Sequence, residues 1–302
     1  MATSSSGTTA AASIIRLENS SSVLGLSVTE FGAVGDAVRQ VGGRKFIGTD
    51  NSAAIQRAID AAQVQGRTLL IPAGNYLLRT GLVAHCSAGS PPMCSAENKH
   101  VAGYDPAVGL SPLVLVGEDR TKVQLVAGAP MDAMLTFAPG NVEGGGAVSS
   151  SYHTVKMLRF EAMNVANHAV FAADITHSRF VGVEASDAKV SAISLQHGWC
   201  CSIEDCSFNG NMIGLAVSNS ANALVVRGSY FEGGGIGMTI QGSAQALVIG
   251  NTIEGNLGPG IIAVGVRALQ ITANYFEANC QNLTASPATL MMNTTEGGSY
   301  LM

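Results

Sequence analysis

Short alternating apolar segments return at a nearly fixed interval through the second half of the chain. Gly214-Leu215-Ala216-Val217, Gly237-Met238-Thr239-Ile240 and Gly260-Ile261-Ile262-Ala263 lie 23 residues apart each time, and Ala169-Val170-Phe171-Ala172 and Ala192-Ile193-Ser194-Leu195 precede them at steps of 23 and 22. A second series, Phe208, Phe231, Ile253 and Phe276, keeps the same period with steps of 23, 22 and 23. A repeat of this length, too long for a heptad and too short for a paired-helix unit, fits one coil of a parallel β-solenoid. Each coil reads as three short strands separated by turns rich in Gly, Asn and Ser. The first strand is Gly237 to Gln241, the second Leu224 to Arg227 or its equivalent Leu247 to Ile249, and the third centres on Phe231 or Ile253. Alternation points Leu215, Met238 and Ile261 inward with Val217, Ile240 and Ala263, and Ala216, Thr239 and Ile262 outward. No coil carries the Leu-x-x-Leu-x-Leu spacing of a leucine-rich repeat. A sandwich would need hairpin turns every eight to twelve residues or so, without a fixed period.

The front half is built differently. Thr49, Asp50, Asn51 or Ser52 can cap a short amphipathic helix whose apolar positions Ala54, Ile55, Ala58, Ile59 and Ala62 run to Gly66. A strand from Thr68 to Ile71 and the turn Pro72-Ala73-Gly74-Asn75-Tyr76 follow. This order, with Phe31-Gly32-Ala33-Val34-Gly35-Asp36, Thr49 to Ile59 and Leu69 to Tyr76, resembles the N-terminal signature of the pectate-lyase superfamily. Leu113 to Glu118 with Thr121 to Leu125 resembles that family's next coil. The resemblance covers roughly residues 26 to 280 and implies an all-β chain: a right-handed single-stranded parallel β-helix, or solenoid, with a short N-terminal capping helix. Two stretches depart from it. Residues 37–48 insert a basic, Gly-rich loop between Asp36 and Thr49, and residues 85–112 interrupt the early coils. The expected organisation is a flexible tail over 1–25 and one β-helix domain over 26–302, with a front cap at 26–80 and regular coils at 153–280.

Composition narrows the function. The net charge of −5 and the absence of a Lys/Arg cluster argue against nucleic acid as a partner, and no apolar run is long enough to span a membrane. The N-terminus lacks the basic start and apolar core of a secretory signal. Six cysteines are too few for a disulfide scaffold, and Cys206, on the strand parity of Phe208, is expected to be a buried thiol. Free thiols are the expectation throughout, with a loop disulfide as the alternative. His85, Cys86, Cys94 and His100 match no common zinc spacing, and His168, His177 and His197 read as surface residues. No metal is assigned.

One column of the repeat is acidic: Glu161, Glu184, Glu232, Glu254 and Glu277 follow the third-strand apolar position, with Asn209 filling the missing coil. Coils stack about 4.8 Å apart, so Glu232 and Glu254 become neighbours and Glu277 lies one coil further. Crowded carboxylates shift one another's pKa and can supply an acid beside a base. Retaining glycosidases hold their carboxyls about 5–5.5 Å apart and inverting ones about 6.5–9.5 Å, and the ladder approaches either spacing. Glu232, Glu254 and Glu277 are therefore the catalytic candidates, with Tyr230, Tyr275 and Asn209 as substrate-binding residues. The plainer reading is a solvated turn repeated because the unit is repeated. Elimination would instead call for an Arg base; the candidates are Arg227 beside Glu204 and Arg179 near Asp187, with a cross-strand ion pair as the plain reading of Arg227 and Glu204. Ca²⁺ would enter as a cofactor only with that lyase chemistry. The outward first-strand column, Phe171, Ser194, Ala216, Thr239 and Ile262, suits packing against another surface.

The resemblance implies a polysaccharide-active protein, a glycoside hydrolase or polysaccharide lyase acting on an acidic or complex polysaccharide, in an extracellular or virion-associated setting. The alternative is a non-catalytic β-helix serving as a binding or structural module of a tailspike or adhesin. The period breaks after Asn279 with no evident polar cap, which suggests a fragment or completion by identical subunits, possible as a trimer.

Overall fold

A computed structural model describes residues 25–41, 45–87, 101–103, 105, 108–138, 150–219 and 221–281, and the strand backbones at 140–142, 146–148, 290–293 and 299–301. Residues 1–24 of the expected tail over 1–25 lie outside the described residues, as do Cys94 and His100.

The chain winds as a right-handed parallel β-helix with three long sheets. Sheet 1 has eight strands, including Ile213–Ser218, Ile236–Gln241 and Ile261–Val264; sheet 2 has ten, including Leu224–Arg227 and Gln245–Ile249; sheet 3 has eight, including Tyr230–Glu232, Thr252–Glu254 and Tyr275–Glu277. Every strand pair between residues 200 and 280 is parallel and in the expected register, with Leu215 opposite Met238 and Met238 opposite Ile261. The inward residues fill a continuous core: Leu215, Met238 and Ile261 are buried, and so are Phe160, Phe180, Phe208 and Phe231. The Phe208 and Phe231 rings lie 5.1 Å apart, a favourable aromatic contact one coil to the next. The outward first-strand column stacks as expected, and Ser194 and Thr239 in it are buried.

Tight corners hold the sheets at their angles. Where sheet 2 turns into sheet 3, Gly182, Asp205, Gly228, Gly250 and Ala273 all adopt positive φ, between 52° and 65°. Glycine takes this left-handed conformation without a Cβ penalty, so three of these five stacked positions are glycine. Asparagines then pair the carbonyls and amides that the corners remove from the sheets. Asn251 and Asn274 stack at one corner, and Asn211, Asn256 and Asn279 line the next. Buried Asn256 donates to Phe231 O, Glu254 O and Asn279 Oδ1 and accepts from Gly234 N. Asn256→Ala leaves these groups unpaired and is expected to cost about 1–3 kcal/mol, read as a lower denaturation midpoint.

Helix α1, Ser52–Gln65, closes the open end of the first coil and ends at Gly66 in the left-handed conformation. Its buried face, Ile55, Ala58, Ile59 and Ala62, joins the same core as Leu69 and Ile71. Asn51 occupies the N-cap position without a side-chain cap; its amide instead ties down Val34 N, Val34 O and Thr49 O, while Asp50 accepts from Ser52 N.

One expectation is refined here and one is corrected. The regular period breaks after Asn279 as expected, but the sheets do not stop there: Leu290–Asn293 pairs in parallel with Ile261–Val264, and Ser299–Leu301 with Ala268 to Gln270, so two sheets gain a further strand each at a wider spacing. Cys86 is disulfide-bonded, with a partner outside the described residues, so it is not a thiol. His85 is held by Asp60 at 2.9 Å.

Candidate functional site

Period-two alternation in sheet 3 sends Phe231 and Ile253 inward and leaves Tyr230, Glu232, Thr252, Glu254, Tyr275 and Glu277 on the outer face. The parallel register aligns Asn209 with Glu232, Glu232 with Glu254, and Glu254 with Glu277. Beside this column run Ser207, Tyr230, Thr252 and Tyr275. All six residues singled out from the sequence therefore come together on one face.

Each carboxylate in the ladder has its own neutral donor. Asn209 Nδ2 donates to Glu232 Oε2 at 2.9 Å, Tyr230 Oη donates to Glu254 Oε1 across one coil, and Tyr275 Oη donates to Glu277 Oε2 at 2.6 Å within its strand. The Tyr230 phenol is pushed up to about 12, first by its hydrogen bond to Glu254 and then by burial and the neighbouring carboxylates. Tyr275 is raised in the same direction by its bond to Glu277 and that group's charge. Both phenols thus remain proton donors at neutral pH. Tyr275 is 55% exposed, which leaves it accessible to a ligand lying on the strip.

One member of the acidic column stands elsewhere than expected, and another is nearly buried. The coil from Glu161 to its partner Ser186 is 25 residues long, not 23, so Glu184 falls opposite Arg159 and Ser207, in the tyrosine column. There it meets Arg120 at 3.5 Å. Glu161 keeps its place but is nearly buried, accepting from Gln124 Nε2 at 3.2 Å, Arg159 Nη2 at 3.1 Å and Ser186 Oγ at 3.2 Å. Burial raises its pKa, against the opposing pull of Arg159. Next to these groups the face opens into a cleft of about 220 Å³ lined by Arg159, Glu184, Ser186, Ser207 and Asn209. The sequence carried a signal for this cleft only in the two extra residues of one coil.

The arginines considered for elimination lie on sheet 2. Arg179 does not reach Asp187; it pairs with Glu204 at 3.2 Å, and Arg227 pairs with the same carboxylate at 2.5 Å. Burial works to raise Glu204, but hydrogen bonds from Ser202, Arg227 and Arg179 prevail and hold its pKa at about 2. Both guanidinium groups are committed to a structural ion pair. A Ca²⁺ ion needs about six to eight oxygen ligands. Among the described residues no group of three or more His, Cys, Asp or Glu side chains is placed to hold a metal ion.

Burial pushes the Cys201 and Cys206 thiols up to about 12, whereas Cys200 is exposed. The thiolate is the reactive form. Iodoacetamide is therefore expected to label Cys200 of the native protein and spare Cys201 and Cys206, as read by peptide mass spectrometry.

Among the described residues no helix is long and apolar enough to cross a membrane. No curated protein sequence matches the chain. Solved structures share its fold at low identity. ORF18 of Geobacillus virus E2 aligns with a TM-score of 0.55 at 11% identity, over 90% of this chain and 60% of that one. PfbA, a surface adhesin of Streptococcus pneumoniae, aligns at 0.56 and 14%, over 84% and 62%. The Agl-KA catalytic domain aligns at 0.51 and 12%, over 90% and 51%. The chain thus spans between about half and three fifths of the length of these structures. A family profile matches residues 25–282, the whole of the solenoid described above apart from its last strands, and the chain belongs to the rhamnogalacturonase A/epimerase, pectate lyase-like family.

Proposed function

We propose that this protein engages a polysaccharide along the outer face of sheet 3 and cleaves it there, with Glu232, Glu254 and Glu277 as the acid and base groups and Tyr230, Tyr275 and Asn209 as substrate contacts. The observation that carries the reading is the in-register ladder of carboxylates, each fixed by its own donor. Adjacent rungs are about 4.8 Å apart at the backbone and alternate rungs about twice that, near the carboxyl separations of retaining and inverting glycosidases. The family supports a polysaccharide as the ligand class. Hydrolysis is favoured over elimination because Arg179 and Arg227 are engaged with Glu204 on a different sheet.

A second reading is a non-catalytic glycan-binding module. It is favoured by the occupation of every ladder carboxylate by a donor and by the low aromatic content of 5%. A polysaccharide panel assayed for new reducing ends, unsaturated uronate absorbance and bound protein separates the readings. Hydrolysis releases reducing ends without absorbance, elimination gives both, and a binding module gives neither but retains polymer. A protein that neither binds nor cleaves any member of the panel would refute both.

A further inference from the structure

The outward column that carries the ladder does not begin with a polar residue. Traced back from Glu161, its earlier members are Val126 and Leu77. Their strand neighbours Tyr76, Leu78, Leu125 and Ala127 all belong to the interior, so alternation aims Leu77 and Val126 at the outer face. Both are nevertheless fully buried. They are covered by Ala37 and Phe46, with Met163 beside them, in a small apolar cluster separate from the main core.

The covering residues belong to the insertion noted in the sequence. Its two ends attach to the edge of sheet 3, where Asp36 bridges to Asn75 and Asp50 to Leu77. Between them the strands Val38–Arg39 and Phe46–Ile47 pair as an antiparallel hairpin. Phe46 then lies over the outer face, and the polar strip stops at Glu161. Arg39, on this hairpin, is near enough for its charge to act on the Glu161 carboxyl. On the other side of Glu161 the 220 Å³ cleft opens, and its wall residue Asn209 is the first member of the glutamate ladder. Wall, cleft and ladder are therefore continuous along one column.

We propose that residues 37–41 and 45–48 form an end wall that makes the strip a groove closed at Glu161, so that the protein takes a glycan by a chain terminus. The terminal sugar sits in the cleft between Arg159, Glu184 and Asn209, and the rest of the chain runs over Glu232, Glu254 and Glu277. The proposal rests on the polysaccharide reading of the ladder and adds to it which part of the polymer is recognised. An open strip accepts a polymer anywhere along its length, whereas a wall at one end admits only a free terminus. The Glu161 side chain, held by Gln124, Arg159 and Ser186, presents a fixed polar floor where that terminus would stop.

The wild-type protein suffices for the test. Short and long fractions of polygalacturonate, alginate and dextran are titrated calorimetrically, together with the same fractions blocked by biotin at one terminus or the other. Terminal recognition predicts one bound protein per chain whatever its length, and at least about tenfold weaker binding when one particular terminus is blocked. Stoichiometry that grows with chain length, or binding indifferent to either block, would overturn the end wall while leaving the ladder reading intact. Failure of every fraction to bind would remove the ladder reading and this inference with it.

Discussion

Lowering the pH from 7 to 4 is expected to cost this protein roughly 3 kcal/mol of stability through one side chain, His153. The imidazole is fully buried between coils, and burial lowers its pKa from 6.5 to about 3. Leu113 N donates to Nδ1 at 2.9 Å, so the proton of the neutral ring sits on Nε2, which lies 2.6 Å from Ser150 Oγ. Protonation would set the new Nδ1–H against the Leu113 N–H, and the Phe137 ring 4.8 Å away offers no compensating acceptor. The unfolded chain binds a proton below about 6.5 while the native state refuses it down to about 3, so the unfolded state holds more protons in that window. The contribution is therefore complete above pH 6.5, falls steadily as the pH drops, and levels off below about 3. Glu204 has the opposite charge but the same direction: its depressed pKa of about 2 gives stability that is lost as the pH falls from 4.5 towards 2. Urea denaturation at several pH values reads the sum, and the NMR titration of the His153 ring isolates its share. A native His153 that titrates near 6.5 would refute this account.

The second large effect is expected from Glu254→Gln. Glu254 is the middle rung, flanked by Glu232 and Glu277, and it holds the Tyr230 phenol. Removing an acid or base from a glycan-cleaving site costs about 10²–10⁴-fold in rate. The amide is isosteric, half-exposed and still able to accept from Tyr230, so the melting temperature should hardly move. Losing the charge should also let the Tyr230 pKa fall back from about 12 towards the ordinary phenol value of 10, which an ultraviolet difference titration detects. A fully active Glu254→Gln protein would exclude Glu254 from catalysis even if the titration behaved as expected.

The solenoid was legible because its core is read one residue at a time. Leu215, Met238 and Ile261 recur at a fixed interval, and alternation alone assigns them inward, since no long-range information is needed to stack identical coils. The same logic placed Asn209, Glu232, Glu254 and Glu277 in one column. It failed at Glu184, where the fixed period was carried across a coil with two additional residues and so exchanged one outward column for the other. Past Asn279 it read the break in the period but not the strand Leu290–Asn293, which pairs with Ile261 to Val264 at a wider spacing than the repeat. The donors of the carboxylates were not legible either. Tyr230 reaches across a coil to Glu254 while Tyr275 turns to Glu277 in its own strand, a choice of side-chain rotamer that spacing does not encode. Residues 37–48 were visible only as an interruption. That they cover Leu77 and Val126 depends on a three-dimensional approach between segments far apart in sequence.

The location of the ligand is the most direct test of the central claim. A crystal of the Glu254→Gln protein soaked with an oligosaccharide chosen from the panel should show sugar density on the outer face of sheet 3, between Asn209 and Glu277, with Tyr275 in contact. Density over the outward column of sheet 1, or against the Glu204 ion pairs of sheet 2, with sheet 3 left bare, would contradict it.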